Sequence, residues 1–330
     1  MMKKSLIALA VMAASATAAQ AADVYGQVRV SLDKADTAGA AYKLSDRGSR
    51  VGVKGSEDLG GGMSAIWQLE WDIAFVDGNN TNAAPSDGST TGNVSGVTAA
   101  SETFAQRNQF IGLKGSFGTV LAGVHDTPYK LAGSADLFGD TAADMQSASS
   151  IIGRAGGASF DMRAQNAIAY ISPDFNGFHA AVAVIPGETT TTANDISNAQ
   201  SVALVYVNGP LKATYGYENH DSLANESASK VNVSYKIGDL SVAGTYEKQD
   251  IAGDDRKAYL VSAAYGMGPI TLLAQTGKAD RGSATADLKR TAVGVSYALS
   301  KKTNAYVGYQ MSDDAGTDTN TTTVGLNTSF

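Results

Sequence analysis

Residues 63–75 read MSAIWQLEWDIAF. From Trp67 onward the odd positions are Trp67, Leu69, Trp71, Ile73 and Phe75, and the even positions between them are Gln68, Glu70 and Asp72. Side chains on a strand point alternately to opposite faces, so the stretch is a strand with one continuous apolar face and one acidic face. At ~3.3 Å per residue it reaches about 40 Å, enough for a tilted crossing of a bilayer. Burying Glu70 and Asp72 without partners is costly, so their side of the sheet calls for water. A soluble sandwich with its apolar face inward contains the same kind of strand, and the remainder of the chain must decide between the two.

No linker or low-complexity run divides the 330 residues, and only 6 prolines interrupt them, so residues 22–330 read as one domain. Mean hydropathy is −0.11, and beyond the N-terminus no apolar run approaches the ~20 residues of a membrane helix. The absence of cysteine excludes disulfides and thiolate chemistry. Residues 1–21 carry Lys3 and Lys4, an apolar run from Leu6 to Ala14, and small residues ending in Ala19-Gln20-Ala21. These are the three parts of a cleavable secretory signal, with the cut expected before Ala22. Its removal takes the 25 basic residues to 23 against 32 acidic ones, a net charge near −9, which argues against nucleic acid as a partner.

The opening pattern recurs along the chain. Residues 24–32 set Val24, Val28, Val30 and Leu32 against Gln27, Arg29 and Ser31, and residues 49–55 set Val51 and Val53 against Arg50 and Lys54. Further segments fall at 104–125 (two strands), 164–172, 178–185, 200–207, 211–218, 230–237, 240–248, 257–266, 269–278, 290–299, 303–312 and 321–330. Gly, Asn, Asp and Pro stand at the corners, as hairpins require. The count is sixteen strands. Seven short turns, at 60–62, 115–118, 173–177, 208–210, 238–239, 266–268 and 300–302, alternate with long polar loops at 33–46, 76–103, 126–163, 186–199, 219–229, 249–256, 279–289 and 313–320. That strict alternation is expected of an up-and-down transmembrane β-barrel in an outer membrane, with both chain ends on the short-turn, periplasmic side. The last strand presents Val324, Leu326 and the terminal Phe330 on one face, and aromatics such as Tyr25, Tyr170, Phe178, Tyr215, Tyr265, Tyr297 and Tyr309 crowd segment ends as interfacial girdles do.

Five strings carry a family resemblance: SRVGVKGSEDLGGGMSAIWQLE at 49–70, FAQRNQFIGLKGSFGTVLAG at 104–123, RAQNAIAYISPDFNGF at 163–178, LSKKTNAYVGY at 299–309 and the closing VGLNTSF. In order and along the whole mature chain, they resemble the Gram-negative general porins of the neisserial and burkholderial type. The resemblance implies an all-β, sixteen-stranded antiparallel barrel, a homotrimer, and a third external loop folded into the barrel. It also implies an outer-membrane setting of lipid and lipopolysaccharide, with Phe330 read by the barrel assembly machinery. Ser64 stands where related sequences often carry Lys. Val24, Val28, Val30, Val51 and Val53 would give the trimer a wall of small apolar side chains, and lipid contact explains them equally well.

The function expected is a water-filled pore for passive diffusion of ions and small hydrophilic solutes. The alternatives are a substrate-selective channel and a surface-binding, adhesin-like barrel. In the third long loop, PYKLAGSADLFGDTAADM places Asp136, Asp140 and Asp144 at spacings of four, one face of a short helical turn. Facing them, Arg29, Arg50, Lys54, Arg107 and Arg163 are expected on a basic pore wall, with Glu70 and Asp72 as acidic wall residues. An acidic loop opposite a basic wall sets up a transverse field that sorts ions by charge. The net charge near −9 suggests a mild cation preference, which the local basic wall could reverse. His125, His179 and His220 lie in separate segments without metal-ligand spacing and read as rim or loop residues. No serine is singled out for a Ser-His-acid arrangement, and no enzyme or cofactor is expected. Asp250, Asp254 and Asp255 are candidates for divalent cations bridging to lipopolysaccharide.

Overall fold

In a computed structural model, residues 22–76, 104–146, 150–153, 160–187, 199–221, 226–251, 254–282 and 286–330 are described, and the expected signal segment 1–21 lies outside them. The strands are β1 (Asp23–Ala35), β2 (Lys43–Asp46), β3 (Arg50–Gly60), β4 (Met63–Ile73), β5 (Phe104–Gly115), β6 (Gly118–Asp126), β7 (Arg163–Ile171), β8 (Phe178–Ile185) and β9 (Ala199–Asn208). They continue as β10 (Leu211–His220), β11 (Glu226–Ile237), β12 (Leu240–Ile251), β13 (Asp254–Met267), β14 (Ile270–Asp280), β15 (Leu288–Ala298), β16 (Thr303–Asp314) and β17 (Thr317–Ser329). One short helix, α1 (Pro128–Leu131), follows β6, with Pro at its start and the Thr127 hydroxyl accepting from the Lys130 amide.

Strands from β3 onward pair antiparallel with their neighbours in sequence, and β17 returns to pair with β1, so no edge is left open. Gly26 and Phe330 exchange backbone hydrogen bonds of 3.4 and 3.1 Å at this seam. A Cβ on Gly26 would sit 2.4 Å from the Phe330 ring, so the terminal aromatic lies over a position that only glycine leaves open. Both β2 and β3 pair with β1. They are one stave interrupted at Arg47-Gly48-Ser49, where Gly48 takes φ +71°, and the barrel therefore has sixteen staves.

The alternation read from 63–75 is realised. Leu69 is exposed on the outside, as are Val24, Ile111, Val324 and Leu326, while Glu70 and Asp72 are buried on the inside at 6% and 7% exposure. An outer surface of apolar side chains has nothing to satisfy in lipid, and a closed ladder leaves no backbone group unpaired there.

Two loops expected to be long are tight. β12 and β13 run on to Ile251 and back from Asp254, and β16 and β17 are joined at Ala315-Gly316, both with positive φ (56° and 81°). Above the lipid belt the outward face is wet and the inward face is polar, with Glu247 and Gln249 buried inside, so the ladder continues through Gln249-Asp250 and Thr317-Asp318-Thr319-Asn320 without any hydropathy alternation.

The sequence suggested a water-filled lumen, but part of the inner wall is covered by the β6–β7 loop. Phe138, Met145, Ile151 and Ile152 of the β6–β7 loop pack on Ala258, Leu260, Ala279, Leu288 and Ala292 of the inner wall. The loop thus carries its own small hydrophobic core inside the barrel.

Candidate functional site

The loop between β6 and β7 is fixed along the inner wall by its own amides. Tyr129 N donates to Ser201 Oγ (2.8 Å) on β9, Ala135 N to Thr245 Oγ1 (2.8 Å) on β12, and Leu137 N to Gln275 Oε1 (2.7 Å) on β14. Phe138 then fills the space over Gly294 and Gly308, where a Cβ would approach its ring to 2.7 and 3.2 Å. At Asp140 the backbone turns with φ +59°, and the carboxylate pairs with the Arg29 guanidinium on β1. The returning chain gives Gly153 N to Glu247 (3.0 Å) and stacks Phe160 on His220 at 4.9 Å. Thr127 N finally donates to Met162 O (3.1 Å), closing the base of the loop.

The returning arm is locked by buried charge. The Lys230 ammonium is fully buried, paired with Asp161 and 4.2 Å from the Tyr129 ring. The Tyr129 hydroxyl donates to Glu247 (2.6 Å), Gln249 donates to the same carboxylate (2.6 Å), and Gln146 donates to Asp161 (2.6 Å). Buried charges persist only when paired and hydrogen-bonded, so this network fixes where the loop sits.

The wall left uncovered lies on β1 and β3–β7. Between Leu69 and Trp71 the β4–β5 register slips, so Arg107 and Asn108 both stand opposite Glu70. Such a bulge re-aims side chains, and here it turns both residues inward. Arg107 bridges Glu70 and Asp72 at 2.7 Å each, and Asn108 contacts Asp126 and Arg163. Asp126 in turn pairs with Lys130 (3.0 Å) and Arg163 (3.3 Å). Tyr25 donates to Glu70 (2.9 Å), with the Lys54 ammonium 5.3 Å from its ring. The Arg50 guanidinium faces Arg29, Arg107, Asp140 and Glu70 but forms no ion pair or side-chain hydrogen bond among the described residues.

Of the expected site residues, Arg29, Arg50, Glu70, Asp72, Arg107, Arg163 and Asp140 converge on this region, and Lys54 lies four residues further toward the short turn. Asp136 and Asp144 do not share a helical face with Asp140. Asp136 accepts from Phe138 N (3.2 Å) and Gln275 Nε2 (2.7 Å), and Asp144 accepts from Asp140 N (2.9 Å) and Gln146 N (2.6 Å). Both carboxylates brace the loop's interior because short acidic side chains bond backbone amides two to four residues away in preference to forming a helix. Burial, then the neighbouring Asp136, pushes Asp144 up to about 7, and burial raises Asp136 as well.

Arg47, which pairs with Asp33, and Asn108, Asp126 and Lys130 were not legible as site residues, nor was the Lys230–Asp161–Glu247 network. His220 is not a rim residue; it is buried against Phe160 and bonded to Glu218 (3.0 Å). Among the described residues no three His, Cys, Asp or Glu side chains are grouped to hold a metal. Asp255 is taken by Lys248 (3.0 Å), and Asp254 lies 3.8 Å from Arg256.

The family model for the Gram-negative porins matches residues 5–317. The chain is 31% identical to outer membrane porin protein 32 of Delftia acidovorans over 344 residues, covering 96% of this chain and 92% of that relative. Its fold is similar to the anion-selective porin from Comamonas acidovorans, with a TM-score of 0.74 at 24% identity over 94% of this chain and 99% of that one. It is also similar to the trimer form of OmpT from Vibrio cholerae, with a TM-score of 0.68 at 17% identity over 94% and 99% of the two chains.

Proposed function

The chain belongs to the Gram-negative porin family, and from that premise we propose that the gap between the loop tip at Asp140 and the wall bearing Arg29, Arg50 and Arg107 is the constriction of its pore. The protein is an outer-membrane porin, a passive diffusion pore for ions and small hydrophilic solutes; the family transports and does not catalyse. The finer assignments concern how the pore narrows and what it prefers.

At the constriction most charges are matched: Arg107 by Glu70 and Asp72, Arg163 and Lys130 by Asp126, and Arg29 by Asp140. The observation that carries the reading is Arg50, whose charge has no ion-pair partner among the described residues. An unmatched cation where the lumen is narrowest outweighs a diffuse acidic surface, because local potential decides ion entry while distant charges are screened within about 10 Å. The reading is therefore a weak preference for anions, opposite in sign to what the net charge suggested and the same in sign as that of the anion-selective porin from Comamonas acidovorans. The zero-current potential across a planar bilayer under a KCl gradient tests it. A sign reporting chloride over potassium supports the reading, and potassium over chloride refutes it.

Assembly as a homotrimer through the outer face of β1 and β3, with Val24, Val28, Val30, Val51 and Val53, belongs to the same proposal, as does export by the 1–21 signal. Recognition of Phe330 by the barrel assembly machinery fits its place at the barrel seam. The remaining outer surface would face lipid and lipopolysaccharide.

A further inference from the structure

We propose that the outer face of β12–β15, at the end of the barrel away from the short turns, binds the phosphates of a phosphorylated glycolipid of the outer leaflet. On each of these strands the same layered order occupies outward positions. Moving away from the lipid belt, β12 carries Tyr246, Lys248 and Asp250, β13 carries Tyr259, Lys257 and Asp255, and β14 carries Thr276, Lys278 and Asp280. On β15, Thr291 and Lys289 are followed by Asp287 just outside the strand. Lys248, Lys257 and Lys289 are exposed, whereas Glu247, Gln249, Arg256 and Ala258 between them are buried, which fixes the phase. From Tyr265 near the short turns to Lys257, a strand tilted by ~40° climbs about 20 Å, close to the ~25 Å height of an apolar band. The lysines therefore stand at the level of headgroup phosphates, next to tyrosines at the interface.

Two observations define the ligand's chemistry. Lys248 stands directly opposite Lys257 in the β12–β13 ladder, and Lys278 directly opposite Lys289 in the β14–β15 ladder. Like charges so placed are destabilising, and an anion held among them removes the repulsion. Two of the four are already paired, Lys248 with Asp255 (3.0 Å) and Lys278 with Asp287 (2.5 Å). Lys257 and Lys289 have no ion-pair partner among the described residues, although Asp280 and Asp313 stand opposite them in register. Those carboxylates accept instead from Gly282 N (3.1 Å) and Gly316 N (2.9 Å) in the adjoining turns.

The band is confined to one side of the barrel. Outward positions of β8–β11 carry no lysine or arginine, and the other outward strand lysine among the described residues, Lys34, lies 5.2 Å from the Tyr42 ring. β16 and β17 separate the band from the β1–β3 face, so it stays open to lipid in a trimer packed through that face. Below the lysines, Tyr246, Tyr259, Val261 and Val293 are exposed on the same face. A ligand that fits both layers must lay acyl chains on the lower one and offer anionic oxygens to the upper. A phosphorylated glycolipid does so; a free anion does not. The proposal rests on the outer-membrane placing of the barrel and does not depend on where the pore narrows.

The test is native mass spectrometry of the folded protein, released from nonionic detergent after titration with bisphosphorylated lipid A in the presence of EDTA. A saturable lipid adduct is expected, weakened at least tenfold in K257Q/K289Q and kept within twofold in K212Q/K236Q, whose lysines occupy inward positions near the short turns. Lipid A stripped of both phosphates should bind at least tenfold more weakly, and excess inorganic phosphate should leave the adduct in place. K257Q/K289Q should keep wild-type conductance steps in planar bilayers, which separates loss of this site from failure of the porin itself. Unchanged affinity in K257Q/K289Q, an equal loss in K212Q/K236Q, equal binding of the dephosphorylated lipid, displacement by inorganic phosphate, binding that vanishes in EDTA, or loss of conductance steps in K257Q/K289Q would each overturn the assignment.

Discussion

Arg29 on β1 and Asp140 at the tip of the β6–β7 loop form an ion pair that ties the loop's far end to the wall next to the barrel seam. Their side chains are 18% and 47% exposed, and pairs of that kind contribute about 1 kcal/mol or less. Asp140→Ala should therefore move Tm by no more than ~4 °C while releasing the tip. The expected outcome is a larger single-channel conductance with a stronger preference for anions. An unchanged conductance would show that the tip does not limit the pore.

Arg50 sets the sign of selectivity if the constriction is where ions are sorted. Arg50→Glu should shift the zero-current potential toward cations, whereas Lys212→Glu, on the β9–β10 side, should shift it far less. Equal shifts from the two would place selectivity in the overall charge.

Asp144 makes the loop's hold dependent on pH. Its carboxyl ionises near 3.8 when free and near 7 in the fold, so between these values the folded state binds more protons than the unfolded one. Its stabilising contribution is complete below about pH 4 and is lost as pH rises through 7. Thermal stability from this source should be higher at pH 5 than at pH 8. Asp144→Asn should flatten that difference, and an identical pH profile in the variant would contradict the assignment.

Lys230 holds the returning arm. Lys230→Met leaves Asp161 and Glu247 buried without their cation, which costs about 3–5 kcal/mol when one partner of a buried pair is lost. Open-channel current noise should rise as the arm detaches, and the Tm should fall. Quiet channels of wild-type conductance would show that the network does not position the loop.

Gly26→Ala places a methyl within 2.4 Å of the Phe330 ring and 2.7 Å of the Arg50 carbonyl. The seam between β1 and β17 should then close poorly, lowering the amount of heat-resistant folded barrel recovered from membranes. Full recovery would show that the seam tolerates displacement of Phe330.

The alternation from Trp67 to Phe75 was legible because lipid on one side and water on the other impose opposite chemistry on successive residues. Where both sides are wet, as at Thr317-Asp318-Thr319-Asn320, strands continued unseen. The break at Gly48 concealed β2 and with it Arg47. The basic wall could be read from strand parity until the bulge at Arg107-Asn108 broke that parity, and Asn108 was lost with it. Asp136, Asp140 and Asp144 looked equivalent by spacing. The loop's path separates them, because the positive φ at Asp140 sends one carboxylate to the wall while the other two bind backbone amides. The Lys230–Asp161 pair spans 69 positions, and no local pattern announces it.

The claim on which all of this depends is that apolar side chains face lipid while the uncovered wall of the lumen faces water. Single-channel recording of the purified protein in planar bilayers over a range of KCl concentrations tests it most directly. The account predicts discrete conductance steps that grow in proportion to salt concentration; an absence of steps from folded, inserted protein would contradict it.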